Sequence, residues 1–170
     1  MRSEYPRFVL AVVPTCHGFS FVLFEGPDAP FDWGTKDIRE KDKNPRTLDA
    51  VRAIMERYRP EVLVLEDAAH GSRRTLRIRR LFRMLSHLAV TLDIPVIRYT
   101  RKDIRACFVS VGATTKYEIA KAIAIQIPAF THRLPPIRKI WMSEDPRQSL
   151  FDAAALGIAY YGRQAGESVP

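Results

Sequence analysis

The chain has 170 residues, with 27 Lys and Arg against 19 Asp and Glu, a formal charge of +8. That length suits one domain with a real core, and 46% apolar with 10% aromatic residues excludes wholesale disorder. No apolar run approaches the length of a membrane span, and the opening residues MRSEYPR lack the apolar core of a secretory signal, so a cytoplasmic setting is expected. Cys16 and Cys107 have neither zinc-site nor disulfide-framework spacing. The basic excess favours a polyanionic partner, although such a charge also serves solubility.

In chain order, the predicted elements begin with strands. Residues 7–13 (RFVLAVV) are almost wholly apolar, as in a strand covered on both faces. Turn residues 14–18 (PTCHG) lead to 19–25 (FSFVLFE), the other arm of a hairpin. A second turn over 26–30 precedes a third strand at 31–38. The period then changes: Leu48, Val51, Met55 and Tyr58 form one helical stripe after an Asn44-Pro45 start, and Arg59-Pro60 ends it. A fourth buried strand, 61–65 (EVLVL), runs into Glu66-Asp67. A long helix is predicted over 72–92, N-capped by Ser72, with Leu81, Leu85, Leu88 and Leu92 facing inward. Residues 95–99 make a fifth strand, and helices follow over 101–108, 114–126 and 148–161.

Residues 128–146, Pro-rich and basic, read as a long surface loop. Residues 163–170 read as a flexible tail beyond a single domain of residues 1–162. The order of three strands, helix, strand, helix, strand and three helices implies an α/β fold, a five-stranded mixed sheet with helices on both faces.

In open α/β sheets, sites gather at the carboxyl ends of strands. Glu66 stands at such an end, after an apolar run where a carboxylate is rarely buried without a partner or a metal. Asp152 precedes a small-residue helix face (Ala153, Ala154, Ala155, Gly157) able to approach the sheet closely, though an acid there also suits the helix dipole.

Four segments in matching order resemble the RuvC-type Holliday junction resolvases, members of the RNase H-like nucleases. LAVVPTCHGFSFVLFEG is similar to their opening hairpin, and VLVLED to their fourth strand with its catalytic Glu. RKDIRACFVSVGATTKYEIAKAI resembles their segment leading to a Gly-x-x-x-Lys pattern, and FDAAALGIA their last helix. The resemblance implies an RNase H-like fold, a homodimer contacting along the helix at 72–92, branched DNA as substrate, and Mg²⁺ or Mn²⁺ held by four acids. In that pattern paired ions stabilise the attacking and leaving oxygens of the phosphodiester.

By that resemblance Glu66 and Asp152 are the catalytic and metal-holding acids, while Val13 and Ser149 stand where two further acids are expected. Asp67, His17 and the pair Glu144-Asp145 are the neighbours that could compensate.

Six arginines, Arg73, Arg74, Arg77, Arg79, Arg80 and Arg83, crowd the start of the long helix, with Arg73, Arg77 and Arg80 on one face. Arg101, Lys102 and Arg105 form a second basic group, and Lys116 with Lys121 a third; Lys116 falls on the Lys of the Gly-x-x-x-Lys pattern. The expected nucleic-acid contacts are Arg73, Arg74, Arg77, Arg80, Arg101, Lys102, Lys116 and Lys121, with Arg138, Lys139 and Trp141 as an extension by stacking. The expected function is RuvC-like binding of four-way junction DNA, with metal-dependent cleavage weakened or lost. The alternatives are an active Mg²⁺- or Mn²⁺-dependent junction endonuclease using Glu66 and Asp152, an RNase H-like nuclease acting on structured RNA, and an α/β binding domain whose basic helix is only a solvated surface.

Overall fold

Strands whose successive side chains are all apolar must be covered on both faces, and the first strands of this chain meet that demand. The computed structural model describes residues 7–67 and 74–167. Strand β1 (Val9–Pro14) is buried throughout; β2 (Gly18–Gly26) is buried except at its end, and β3 (Ala29–Asp37) is the half-exposed edge. With β4 (Val62–Glu66) and β5 (Val96–Tyr99) they form one sheet in the order β3-β2-β1-β4-β5. The hairpin strands are antiparallel, and β1, β4 and β5 run parallel. The predicted five-stranded mixed sheet is therefore present.

Alternation along each strand divides the core. Leu10, Val12, Leu63 and Leu65 meet Val51 and Met55 of helix α1 (Lys43–Tyr58) and Leu81 and Leu85 of α2 (Leu76–Thr91). On the other face Val9, Ala11 and Val64 meet Ile119 and Ile123 of α4 (Lys116–Gln126) and Ala154 and Ala155 of α5 (Gln148–Glu167). Helix α3 (Arg101–Phe108) follows directly on β5. Gly157 lets α5 lie close on β2: a Cβ there would stand 2.1 Å from Phe24 Cε2.

Two helix starts are fixed by reciprocal capping. The Thr100 side chain accepts from the Asp103 N–H while Asp103 bonds back, and Thr115 and Glu118 do the same for α4. Bonds from the backbone N–H of Thr100 to Asp103, and of Thr114 and Thr115 to Glu118, hold both carboxyls below their usual range. These caps place Arg101 and Lys116 at the first positions of their helices.

Three expectations are corrected. Helix α2 begins at Leu76, with Thr75 accepting from Ile78 N–H at 3.3 Å; the expected cap, Ser72, lies outside the described residues. Part of the expected surface loop is core: Phe130, fully buried in a 3-10 turn at Pro128–Arg133, packs edge-on against Trp33 and Phe151. Helix α5 continues to Glu167 because Arg163 docks its later turns, donating to Asp103 Oδ1 at 2.6 Å with its guanidinium over the Tyr99 ring. Residues 168–170 of the expected tail lie outside the described residues. Among the described residues no helix is long and apolar enough to cross a membrane.

Candidate functional site

The parallel pairing of β1 with β4 sets their carboxyl ends side by side, and α5 passes across them. Between these elements and the starts of α3 and α4 lies a cleft of about 70 Å³. Val13, Glu66 and Asp152 line it together with Arg74, Arg101, Arg105 and Lys116. Residues far apart in sequence are thus brought together: Glu66, Asp152 and Val13, with Arg74, Arg101 and Lys116 of the basic residues named above.

The carboxylates are held by the protein's own cations. Glu66 is only 16% exposed; its Oε2 accepts from Arg74 Nη2 and its Oε1 from Arg101 Nε at 3.3 Å. Asp152 Oδ1 accepts from Gln148 Nε2 at 3.0 Å, and its Oδ2 faces Lys116 Nζ at 3.5 Å. Lys116 also donates to Glu144 Oε1 at 3.0 Å.

Burial pushes the Asp152 carboxyl above its ordinary range; Lys116 and Gln148 oppose that shift, while Glu144 and Glu66 add to it. The folded pKa is therefore the higher one, so the neutral acid favours folding, and this contribution is lost as pH rises from the ordinary carboxylate pKa through the raised folded one. Asp152→Asn is expected to raise Tm at neutral pH, with the gain vanishing in acid below the ordinary carboxylate pKa. A pH series of thermal melts of the two proteins checks this.

Ser149 does not serve the cleft. Its hydroxyl donates to the Pro146 carbonyl at 3.1 Å and lies 2.6 Å from Ser20 Oγ, which in turn lies 2.8 Å from Thr35 Oγ1. With Ser149 donating to Pro146, the chain of hydroxyls runs from Thr35 through Ser20 to Ser149, joining β3, β2 and α5.

The remaining predicted contacts separate. Arg77 is spent within the fold: it donates to Asn44 Oδ1 at 3.1 Å and to the Thr15 and Cys16 carbonyls at 3.3 Å, tying α2 to the β1–β2 turn. Arg80, Lys102 and Lys121 are exposed and do not line the cleft, and Arg73 lies outside the described residues. Trp141 is 80% exposed, with Lys139 Nζ 5.3 Å from its ring centre. Arg105, grouped by sequence with Arg101 and Lys102, also lines the cleft, whereas sequence reading missed Gln148 as the partner of Asp152, although their i, i+4 spacing was a usable signal.

A two-ion site needs several oxygen ligands in one place. Among the described residues no group of three His, Cys, Asp or Glu side chains is placed to hold a metal. Val13 offers no donor atom, Ser149 is bonded elsewhere, and Asp145 pairs with Arg147. The residues present do not fit the pair of divalent ions that the resemblance implies.

The strand order, the helices on both faces and a cleft at the ends of β1 and β4 define the RNase H-like fold of RuvC type. Thermus thermophilus RuvC matches with a TM-score of 0.66 and 16% identity over 95% of this chain and 97% of its own. The same protein in complex with Holliday junction substrate matches with a TM-score of 0.68 and 15% identity, over 94% and 96%. The fowlpox virus Holliday junction resolvase matches with a TM-score of 0.56 and 14% identity, over 92% and 99%. No protein-family model matches the chain, and no curated protein matches it.

Proposed function

We propose that this protein binds branched DNA of the four-way junction type as a two-fold dimer, and that metal-dependent cleavage is weakened or lost. The observation that carries the reading is the cleft itself. Glu66 and Asp152 converge at the strand ends, but four cationic side chains share the space, and apolar Val13 lines it beside Ile104, Ile119, Ala155 and Leu156. Such a surface attracts a phosphate backbone and lacks the ligands for cutting it. The RuvC-type fold supports a junction as the preferred shape, since T. thermophilus RuvC and the fowlpox virus resolvase are both known in complex with Holliday junction DNA.

Shape would be selected by the spacing of basic groups rather than by base edges. Exposed Arg79, Arg80 and Arg83 extend the cleft's charge along α2. The loop with Ile140 and Trp141 exposed beside Arg138 and Lys139 supplies apolar and aromatic surface for an unstacked base at the crossover. Trp141→Ala is expected to weaken junction binding by about 1–3 kcal/mol, the worth of one stacked base, and to leave binding of a linear duplex nearly unchanged. Competition of a labelled four-way junction against linear duplex of the same sequence tests both statements. Equal affinity for the two DNA forms would overturn the proposed junction preference.

A further inference from the structure

We propose that the cleft holds an anionic phosphate oxygen of the DNA backbone directly on Arg101, Arg105 and Lys116, in place of the divalent ions that the resemblance implies. This rests on the junction-binding reading above and names the chemistry of its central contact.

The lining cations exceed the lining carboxylates, Arg74, Arg101, Arg105 and Lys116 against Glu66 and Asp152, by two charges. A phosphodiester entering the cleft reduces that excess, whereas a divalent cation doubles it. Both carboxylates already accept from protein donors, so neither presents a vacant pair of oxygens to an ion. They act as internal counter-ions that aim the cations.

Access divides the cations by role. Arg74 is 22% exposed, with its guanidinium over the Phe82 ring, and remains a support for Glu66. Arg101 at 57%, Lys116 at 39% and the exposed Arg105 are reachable from solvent. Lys116 already holds one exchangeable anion, the exposed carboxylate of Glu144 at 3.0 Å. A solvent-exposed ion pair of this kind is weak, so a phosphate oxygen can take the place of Glu144 at little cost. Val13, buried among the lining residues, offers no side-chain ligand atom.

The test uses the full chain in EDTA and reads Tm with inorganic phosphate against chloride at equal ionic strength, alongside junction affinity. Phosphate is expected to raise the Tm of the unmodified protein, since a ligand that binds only the folded state stabilises it. The double variant Arg101→Ala with Lys116→Ala is expected to lose that rise and to bind the junction about tenfold or more weakly at low salt. Arg52→Ala, exposed on α1, is expected to behave as the unmodified protein. Glu66→Gln separates the two chemistries: removing the internal counter-ion should enlarge the phosphate effect, whereas losing a metal ligand would weaken a metal effect.

The inference is overturned if Mn²⁺ alone raises Tm, if Glu66→Gln abolishes that rise, or if EDTA removes junction binding and Mn²⁺ restores it. A phosphate effect that depends on Arg101 and Lys116, with no junction binding under any condition, would uphold the anion site and overturn the junction reading.

Discussion

Gly157→Val is expected to destabilise the protein by about 3 kcal/mol, roughly 6–12 °C in Tm for a chain of this size. Helix propensity alone gives the opposite sign, since glycine is a poor residue inside a helix. Packing decides. A Cβ at position 157 would stand 2.1 Å from Cε2 and 2.5 Å from Cδ2 of Phe24. Phe24 is fully buried on β2 and packs edge-on against Tyr161, so its ring has nowhere to turn. The helix must lift from the sheet, and Asp152, Gln148 and Ser149 ride on the same helix. Gly162, in the same helix with nothing within 4 Å of its would-be Cβ, is the control. Gly162→Ala is expected to stabilise by roughly 0.5–1 kcal/mol. Thermal or urea melts of the two variants separate packing from propensity; equal gains would show that α5 does not lie on Phe24 as described.

Junction affinity is expected to fall about 10³-fold or more between roughly 50 and 200 mM salt, as for a protein neutralising about six to ten phosphates. Arg79, Arg80, Arg83, Arg101, Lys102, Arg105 and Lys121 are all exposed, enough cations for that number of contacts. Individual substitutions sort the arginines of α2. Arg80→Ala is expected to lower the salt slope by about one and leave stability unchanged. Arg77→Ala should instead act on folding, because its guanidinium bridges Asn44 and the carbonyls of Thr15 and Cys16. A series of junction titrations at several salt concentrations reads both effects. A flat dependence on salt would mean that phosphate contacts do not dominate binding.

Periodicity carried the elements well. The apolar runs of β1 and β4 and the stripe Leu48, Val51, Met55, Tyr58 announced their partners because burial on one or both faces leaves a period in the sequence. The convergence of Val13, Glu66 and Asp152 was legible too, from the order of elements and the resemblance to RuvC-type proteins. The partners of those acids were not. That Arg74 and Arg101 both reach Glu66 depends on where α2 and α3 begin, and only three dimensions set those positions. Arg77 was read as a DNA contact for the same reason: nothing in the spacing of six arginines tells which one turns inward to the Thr15 carbonyl. Phe130 was concealed by its surroundings, since a Pro-rich basic stretch reads as a loop although one ring in it fills a gap between Trp33 and Phe151. The capping pairs Thr100–Asp103 and Thr115–Glu118 were visible in the sequence at the right spacing and fix the starts of α3 and α4 directly.

The most direct measurement is a titration of labelled four-way junction with Mn²⁺ present, each sample divided between a native and a denaturing gel, with Val13→Asp alongside. Val13 is 6% exposed and lines the cleft with Glu66 and Asp152, so an acid there would complete a set of three carboxylates. The expected result is a shifted, intact junction with the unmodified protein, and nicks only with Val13→Asp. Paired nicks by the unmodified protein would contradict the loss of cleavage, and no shift at low salt would contradict nucleic-acid binding itself.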